Sequence, residues 1–218
     1  PPAPLRTALD VGCGTGRFTE LVREAFPRAR IVGLDPAPGM LGRARAKGAR
    51  AASALVRARG EALPVASDRV DLAVISMAYH HLEQPDAALA ELARVLRPGG
   101  RVYLRTPTLE TLHSNAWDGF FPEARARAEA PQPPTQDLRR TARTAGLDVL
   151  HHDTLRSVFA RTDARLLERI ASRSISSLRR IPDDAFARGL DALRAQLRTR
   201  PEDEPALEEL AVFVLRRP

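Results

Sequence analysis

Apolar residues are distributed along this chain in short blocks separated by amphipathic stretches, and the two patterns alternate. Thr7 to Gly12 (TALDVG) is a nearly continuous apolar run, the signature of a strand buried on both faces. Arg17 to Phe26 follows as a helix stopped by Pro27. The cycle repeats with a second strand at Arg30 to Asp35 (RIVGLD), a second helix at Pro38 to Lys47 ended by Gly48, and a weaker third strand at Ala51 to Arg57. A loop from Gly60 to Asp68 leads into a fourth strand, Val70 to Ser76. Pro85 to Leu96 places Leu89, Leu92, Val95 and Leu96 on one side of a helix, and the stop signal Pro98-Gly99-Gly100 precedes a fifth strand, Arg101 to Thr106. Strands of this kind alternating with helices predict a parallel sheet covered on both faces.

The second half is less regular. Thr108 to Pro134 carries prolines and the aromatics Trp117, Phe120 and Phe121 with little periodicity, and reads as a loop or short-helix segment over the sheet edge. Gln136 to Ala145 reads as a helix capped by Gly146, Leu147 to His152 as a further strand, and Leu210 to Arg216 (LAVFVLR) as a closing strand. Between those last strands, Ala164 to Arg198 is helical in two or three pieces broken at Ile181-Pro182, either a lid or extra lobe or plain surface decoration. The whole predicts one α/β domain over residues 1–218, with a doubly wound, seven-stranded, mostly parallel sheet and a helical insertion at about 160–200.

Charge changes this picture little. Lys and Arg number 34 against 27 Asp and Glu, a formal net charge of +7, and Lys47 is the single lysine. The arginines are scattered along helical faces beside Asp and Glu, which reads as a solvated surface and disfavours nucleic acid as a partner. Cys13 is the lone cysteine, so an internal disulfide and a multi-cysteine metal site are both excluded, no metal is expected, and a reducing cytoplasm fits. No apolar stretch has spanning length and no signal segment is present, so membrane insertion and secretion have no support. The start, Pro1-Pro2-Ala3-Pro4 without an initiator methionine, is the pattern expected of a processed or truncated chain.

Candidate chemistry begins at LDVGCGTGR, Leu9 to Arg17. Glycine at the end of a first strand lets a ligand lie on the backbone and permits positive φ, and Gly12, Gly14 and Gly16 meet that need. The following helix aims free N–H groups and its positive dipole end at the ligand, which suits a carboxylate or a phosphate. A dinucleotide fingerprint, G-x-G-x-x-G, requires its third glycine at position 17, where this chain has Arg17, and the P-loop Gly-Lys-Ser/Thr is absent. Asp35 ends the second strand 23 residues after Gly12, where a carboxylate accepts hydrogen bonds from ribose hydroxyls; the alternative is a turn aspartate before Pro36.

LDVGCGTG, IVGLDPAPGML, GEALPVASDRVDLAVIS and ELARVLRPGGRVYLRT together resemble, in order and spacing, the class I S-adenosyl-L-methionine-dependent methyltransferases of the broad type 11 group. The resemblance spans Leu5 to Thr106 and rests on four linked segments. It implies a Rossmann-like sheet with an antiparallel last strand, residues 1–106 as a cofactor-binding half and 107–218 as an acceptor-side half. S-adenosylmethionine is the implied methyl donor and S-adenosylhomocysteine the product. Asp10 would orient the cofactor's amino group, directly or through water, and the backbone of Gly12, Cys13 and Gly14 would approach its carboxylate and sulfur. Asp35 would hold the ribose diol, and Met40 would pack on adenine, although a Met at helical spacing also fits plain core. Where the family often has an adenine-binding aspartate this chain has Arg59, followed by Gly60 and Glu61, so that contact passes to this loop's backbone. Ser76 and Met77 would border the sulfonium and the acceptor.

An acceptor that loses a proton needs a base, and His80 and His81, just past the fourth strand, lie where the acceptor arrives. Either serves as a base or acceptor-positioning group, or the pair simply satisfies backbone groups at a helix entrance. Tyr79 is a pocket wall or a core aromatic, and His113 and Trp117 follow the fifth strand on the rim where open α/β sheets bind ligands. His151, His152 and the arginines around Arg179 and Arg180 read as surface. Ser76-Met77-Ala78-Tyr79 is not the Asp/Asn-Pro-Pro-aromatic sequence of many nucleobase and glutamine methyltransferases, which leaves a hydroxyl, carboxyl, amine or carbon of a small or lipid-like molecule. Two other readings stay open: an NAD-type oxidoreductase, opposed by Arg17, and a catalytically inactive cofactor-binding or RNA-associated protein.

Overall fold

The computed structural model describes residues 4–47, 52–112, 115, 117–129, 132–173, 175–199 and 204–218. Seven strands form one sheet in the order β3-β2-β1-β4-β5-β7-β6. They are β1 (Thr7–Val11), β2 (Arg30–Asp35), β3 (Ala54–Arg57), β4 (Val70–Ser76), β5 (Leu96–Thr106), β6 (Asp148–Ala160) and β7 (Ala206–Arg216). The pairs β1–β2, β1–β4, β2–β3 and β4–β5 are parallel, and β7 runs antiparallel to β5. The chain steps outward from β1 to β2 and β3, then returns to β4 on the other side of β1. That reversal leaves a crevice at the carboxyl ends of β1 and β4, the place where open α/β sheets bind ligands.

The chain divides into two compact units. The first comprises residues 1–106, 135–153 and 211–218. Alternation within its strands sends side chains to two faces. On one, Ala8, Ile31, Leu72 and Val74 pack with Val22 of α1 (Arg17–Ala25), flanked by Phe18, Phe26 and Tyr103. On the other, Leu9, Val11, Ala73, Ile75, Val102, Leu104 and Phe213 pack with Leu89, Leu92 and Val95 of α3 (Pro85–Val95) and Leu138 and Ala142 of α5 (Thr135–Thr144). The helix α2 (Pro38–Ala46) buries Leu41 and Ala44 and begins with a proline in its first turn.

Within this unit the elements follow the sequence reading to within a few residues at their ends, with one difference at Pro98-Gly99-Gly100. The chain does not stop there: Leu96 already pairs with Val70, and a bulge between Val70 and Leu72 takes up the extra residues. Gly99 allows this by adopting φ +78°, and a Cβ on Gly100 would sit 2.8 Å from the Arg97 carbonyl oxygen. The expected helix stop at Gly48 and the expected strand start at Ala51 lie outside the described residues.

The second unit comprises residues 107–134 and 154–210. Thr108 to Pro134 holds a short 3₁₀ turn at Asp118–Phe120 and a helix, α4 (Pro122–Glu129). The block expected near 160–200 is α6 (Asp163–Ala171), a 3₁₀ turn at Leu178–Arg180, and α7 (Asp183–Arg198) after Pro182. These pieces enclose a core of their own, with Trp117, Phe121, Phe159, Leu166, Ile170, Phe186 and Leu193 buried together. Gly189 lets α7 come close: a Cβ there would lie 2.4 Å from the Phe120 carbonyl oxygen and 2.5 Å from the Phe121 ring. The guanidinium groups of Arg169 and Arg173 stack on Phe159 and Phe186 at 3.8 and 4.0 Å. The last strands are longer than their apolar runs: β6 continues eight residues past His152, and its ladder with β7 carries Arg156 on Glu209 (2.8 Å) and Ser157 on Glu208 (3.0 Å).

Candidate active site

The glycine loop is held by backbone geometry. The N–H groups of Gly12 and Cys13 both donate to the Leu34 carbonyl, at 2.7 and 3.0 Å, and the Gly16 N–H donates to the Cys13 carbonyl at 2.9 Å. All three glycines are left-handed, with φ of +74°, +55° and +82°. Their reasons differ. A Cβ on Gly12 would fall 2.3 Å from that of Ala78, so this glycine permits contact between the loops that follow β1 and β4. A Cβ on Gly14 would meet nothing within 4 Å, so Gly14 faces open space where a ligand can approach the backbone. Gly16 is the N-cap of α1 and carries no capping side chain; the Thr19 N–H turns to Asp10, and the N–H groups ahead of it are left for a ligand.

Asp35 sits at the tip of β2, 7% exposed, and is tied to the loop: Oδ2 accepts from the Gly14 N–H at 2.8 Å, and Oδ1 accepts from the Ala37 N–H at 2.8 Å. The turn role and the ligand role are therefore compatible, since each carboxylate oxygen keeps a second acceptor site. Asp10 lies one step below the loop in β1, 1% exposed, and accepts the Thr19 hydroxyl at 2.6 Å. Burial pushes its carboxyl up to about 6, the Thr19 hydroxyl and, more weakly, the Thr19 backbone N–H oppose that shift, and the charge of Asp35 adds to it. Cys13 is buried, and burial, with the nearby Asp10 and Asp35 carboxylates, pushes its thiol up to about 12. The thiol is thus protonated and inert, and the residue contributes backbone.

Met40 lies half-buried in the first turn of α2. Arg59 and Ala62 bridge a tight turn around buried Gly60, where a Cβ would approach Leu82 to 2.9 Å. Glu61 makes a structural contact of its own. Its Oε1 accepts from the Glu83 and Gln84 N–H groups, at 2.9 and 3.3 Å, so the carboxylate caps α3, whose own N-cap side chain makes no such bond. Arg59 reaches the same place and pairs with Glu83 at 2.6 Å.

At the end of β4, Ser76 is half-buried and Met77 is exposed with φ +59°, a strained conformation for a non-glycine residue. Its N–H donates to the Arg105 carbonyl at 2.8 Å, which fixes it beside the tip of β5. The next turn is a 3₁₀ helix, Tyr79–His81. Tyr79 points into the core and is buried, so of its two readings the core one holds. His80 Nδ1 lies 3.3 Å from the hydroxyl of buried Thr106, and the His80 and His81 rings are 4.0 Å apart. Burial, helped by the charge of His81, pushes His80 down to about 3, so its ring is neutral near pH 7. His81 is exposed.

The structure therefore gathers Gly12, Gly14, Gly16, Asp35, Ser76, Met77 and His80 at the carboxyl ends of β1, β2 and β4, with Thr106 ending β5 beside them. Thr19 and Thr106 were not foreseen, because a single threonine on a helix face or at a strand end carries no spacing signal. His113 lies outside the described residues, and Trp117 is core in the second unit. His152 is not plain surface: it is half-buried against Phe213 at 4.4 Å and within 2.9 Å of Arg139. Arg179 and Arg180 are exposed as expected. Among the described residues no group of three His, Cys, Asp or Glu side chains is arranged for a metal, and no helix is long and apolar enough to cross a membrane.

This donor set, with three permissive glycines, an open helix start and two strand-tip carboxylates, fits a ligand bearing an amino acid end and a ribose. Residues 9–104 match the family model of the methyltransferase domain. The match spans 96 of the 218 residues, the segment that holds the glycine loop, Asp35 and His80. A malonyl-[acyl-carrier protein] O-methyltransferase from Hahella chejuensis is 42% identical over 113 residues, 51% of this chain and 40% of that protein. A ubiquinone/menaquinone biosynthesis C-methyltransferase from Syntrophotalea carbinolica is 38% identical over 96 residues, 43% of this chain and 40% of that one. The chain thus spans about 40% of the length of these curated relatives. Among solved structures, a candidate methyltransferase from Bacillus halodurans shares the fold with a TM-score of 0.68 at 19% identity, over 99% of this chain and 95% of that one. The antiparallel β7 beside β5 is the reversed last strand that the sequence resemblance implied.

Proposed function

We propose that the chain is an S-adenosylmethionine-dependent methyltransferase acting on a small or lipid-like organic acceptor. The observation that carries this reading is the strand-tip carboxylate of Asp35 tied to the N–H of Gly14, in a loop whose Gly14 faces open space. Asp35 holds the ribose hydroxyls, Asp10 orients the amino group, the loop backbone and the α1 start receive the carboxylate, Met40 and the 59–61 turn border adenine, and Ser76 and Met77 border the sulfur. The bound cofactor supplies a methyl group on a sulfonium, an activated leaving group, so the chain's share of the chemistry is positioning and exclusion of water. An acceptor oxygen, nitrogen or carbon would take the methyl as the sulfur–carbon bond breaks and the cofactor leaves as a neutral thioether, and a proton carried by the acceptor would pass to solvent. His80, neutral and backed by Thr106, positions the acceptor. The two relatives differ in the atom that their names specify, oxygen in one and carbon in the other, and the matched segment is the cofactor half, so the reading extends to the acceptor class and not to its identity.

Isothermal calorimetry tests it. S-adenosylmethionine and S-adenosylhomocysteine should each bind with one-to-one stoichiometry, and Asp35→Ala should weaken both at least about tenfold with the sheet intact by circular dichroism, the loss of one or two charged hydrogen bonds. Saturation by NAD with no response to S-adenosylmethionine would revive the oxidoreductase reading, and unchanged affinity in the Asp35 variant would refute the ribose assignment.

A further inference from the structure

Asp10 occupies an unusual position for an ionisable group. Its register partners in the sheet are Gly33 of β2 and Val74 of β4, neither of which brings charge. The groups that do face it are Asp35 from the tip of β2, the thiol of Cys13, and Thr19 from α1. Asp35 repels it, Cys13 is protonated, and no cation is among the causes of its shift. Thr19 is 1% exposed and donates to Oδ2 at 2.6 Å, a short charge-assisted bond inside the unit. Thr19 lies in the first turn of α1, the helix whose start Gly16 caps, so the contact joins the helix to the strand on either side of the glycine loop.

We propose that Thr19 is a positioning residue for cofactor binding: its hydroxyl fixes the Asp10 carboxylate and keeps it ionised, leaving the other oxygen for the cofactor's ammonium group. The proposal rests on the cofactor reading above. Without the hydroxyl, Asp10 keeps burial and the repulsion of Asp35 against only the weaker bond from the Thr19 backbone N–H, and it takes up a proton near neutral pH. A protonated Asp10 has lost its charge complementarity to the ammonium, so cofactor affinity acquires a pH dependence that the hydroxyl otherwise holds below the working range.

The test compares the wild-type chain with Thr19→Val, which keeps the shape, and Thr19→Ser, which keeps the hydroxyl. Calorimetric affinity for S-adenosylhomocysteine is followed from about pH 5.5 to 8.5, and the Asp10 carboxyl is titrated by 13C NMR without ligand. Wild-type affinity should bend downward near pH 6, and Thr19→Val should move both the bend and the NMR midpoint up by about one pH unit or more, the worth of a hydrogen bond to a charged group. At about pH 6.5 the valine variant should bind roughly three- to eightfold more weakly, yet within about twofold of wild type at pH 8.5, and the serine variant should restore the profile. An unshifted midpoint, or a loss equal at every pH, overturns the inference and leaves Thr19 a packing residue. Failure of the wild-type chain to bind S-adenosylhomocysteine at any pH is a different result and overturns the cofactor reading itself.

Discussion

Replacing Glu61 by alanine should cost stability and leave cofactor affinity unchanged. The Glu61 side chain is 12% exposed, and its Oε1 holds two backbone N–H groups at the start of α3, at 2.9 and 3.3 Å. A helix start leaves its first N–H groups without intrahelical partners, and α3 has no side-chain cap of its own. Loss of such a cap costs about 1 kcal/mol; the longer second bond adds a fraction of that, and the pair with Arg59, on a half-exposed arginine, adds little. Glu61→Ala should therefore lower stability by about 1–2 kcal/mol, seen as a fall in Tm of roughly 2–8 °C for a chain of this size. Glu61→Gln keeps an acceptor oxygen and should lose less than about half as much. Urea unfolding and calorimetry with S-adenosylhomocysteine, run on the same samples, separate the two roles. A tenfold loss of affinity at unchanged stability would refute the cap and return Glu61 to the cofactor.

Asp10 and His80 each make a prediction with pH, one on stability and one on turnover. The folded state raises Asp10 from 3.8 to about 6, so it binds more protons than the unfolded chain between those values, and stability falls as pH rises through that window. Asp10→Asn should stabilise the fold by up to about 3 kcal/mol at pH 7.5 and by nothing below about pH 4, while weakening cofactor binding; a destabilised variant at pH 7.5 would show that the ionised carboxylate is structurally required. His80 is lowered from 6.5 to about 3, so a pH–rate profile should show no bend near 6.5 that belongs to it. A bend near 6.5 in wild-type turnover that vanishes in His80→Gln would show that His80 titrates as a general base and that cofactor binding opens its surroundings to water.

What could be read from the amino acids divides along a physical line. Strands β1, β2 and β4 were legible because each is an apolar run buried on both faces, and Gly12, Gly14, Gly16 and Asp35 because a loop and a strand tip have fixed sequence offsets. The outer part of β6 was not, because an exposed strand has no alternation to detect: Asp153 to Arg156 are all polar or exposed, and the strand persists through its ladder with β7. The helix α4 (PEARARAE) falls in the stretch read as a loop or short-helix segment, and its bounds were not legible because it has alanines for propensity but no apolar stripe.

Contacts between residues far apart in the chain were the other blind spot, and they decide the site. Gly12 looks like a ligand glycine from its position, yet its tightest neighbour is Ala78, while Gly14, identical in the motif, is the one with open space before it. Glu61 looks like part of a nucleotide turn from its position, and its carboxylate caps a helix that begins more than twenty residues later. Asp10 and Thr19 are nine residues apart, a separation with no helical or strand period, and meet only because α1 folds back along β1. A glycine-rich motif therefore identifies the kind of ligand, because backbone access is local. Which side chains hold that ligand depends on how the helices return to the sheet, and here the return of α1 converts a buried, repelled carboxylate into one that remains ionised near neutral pH.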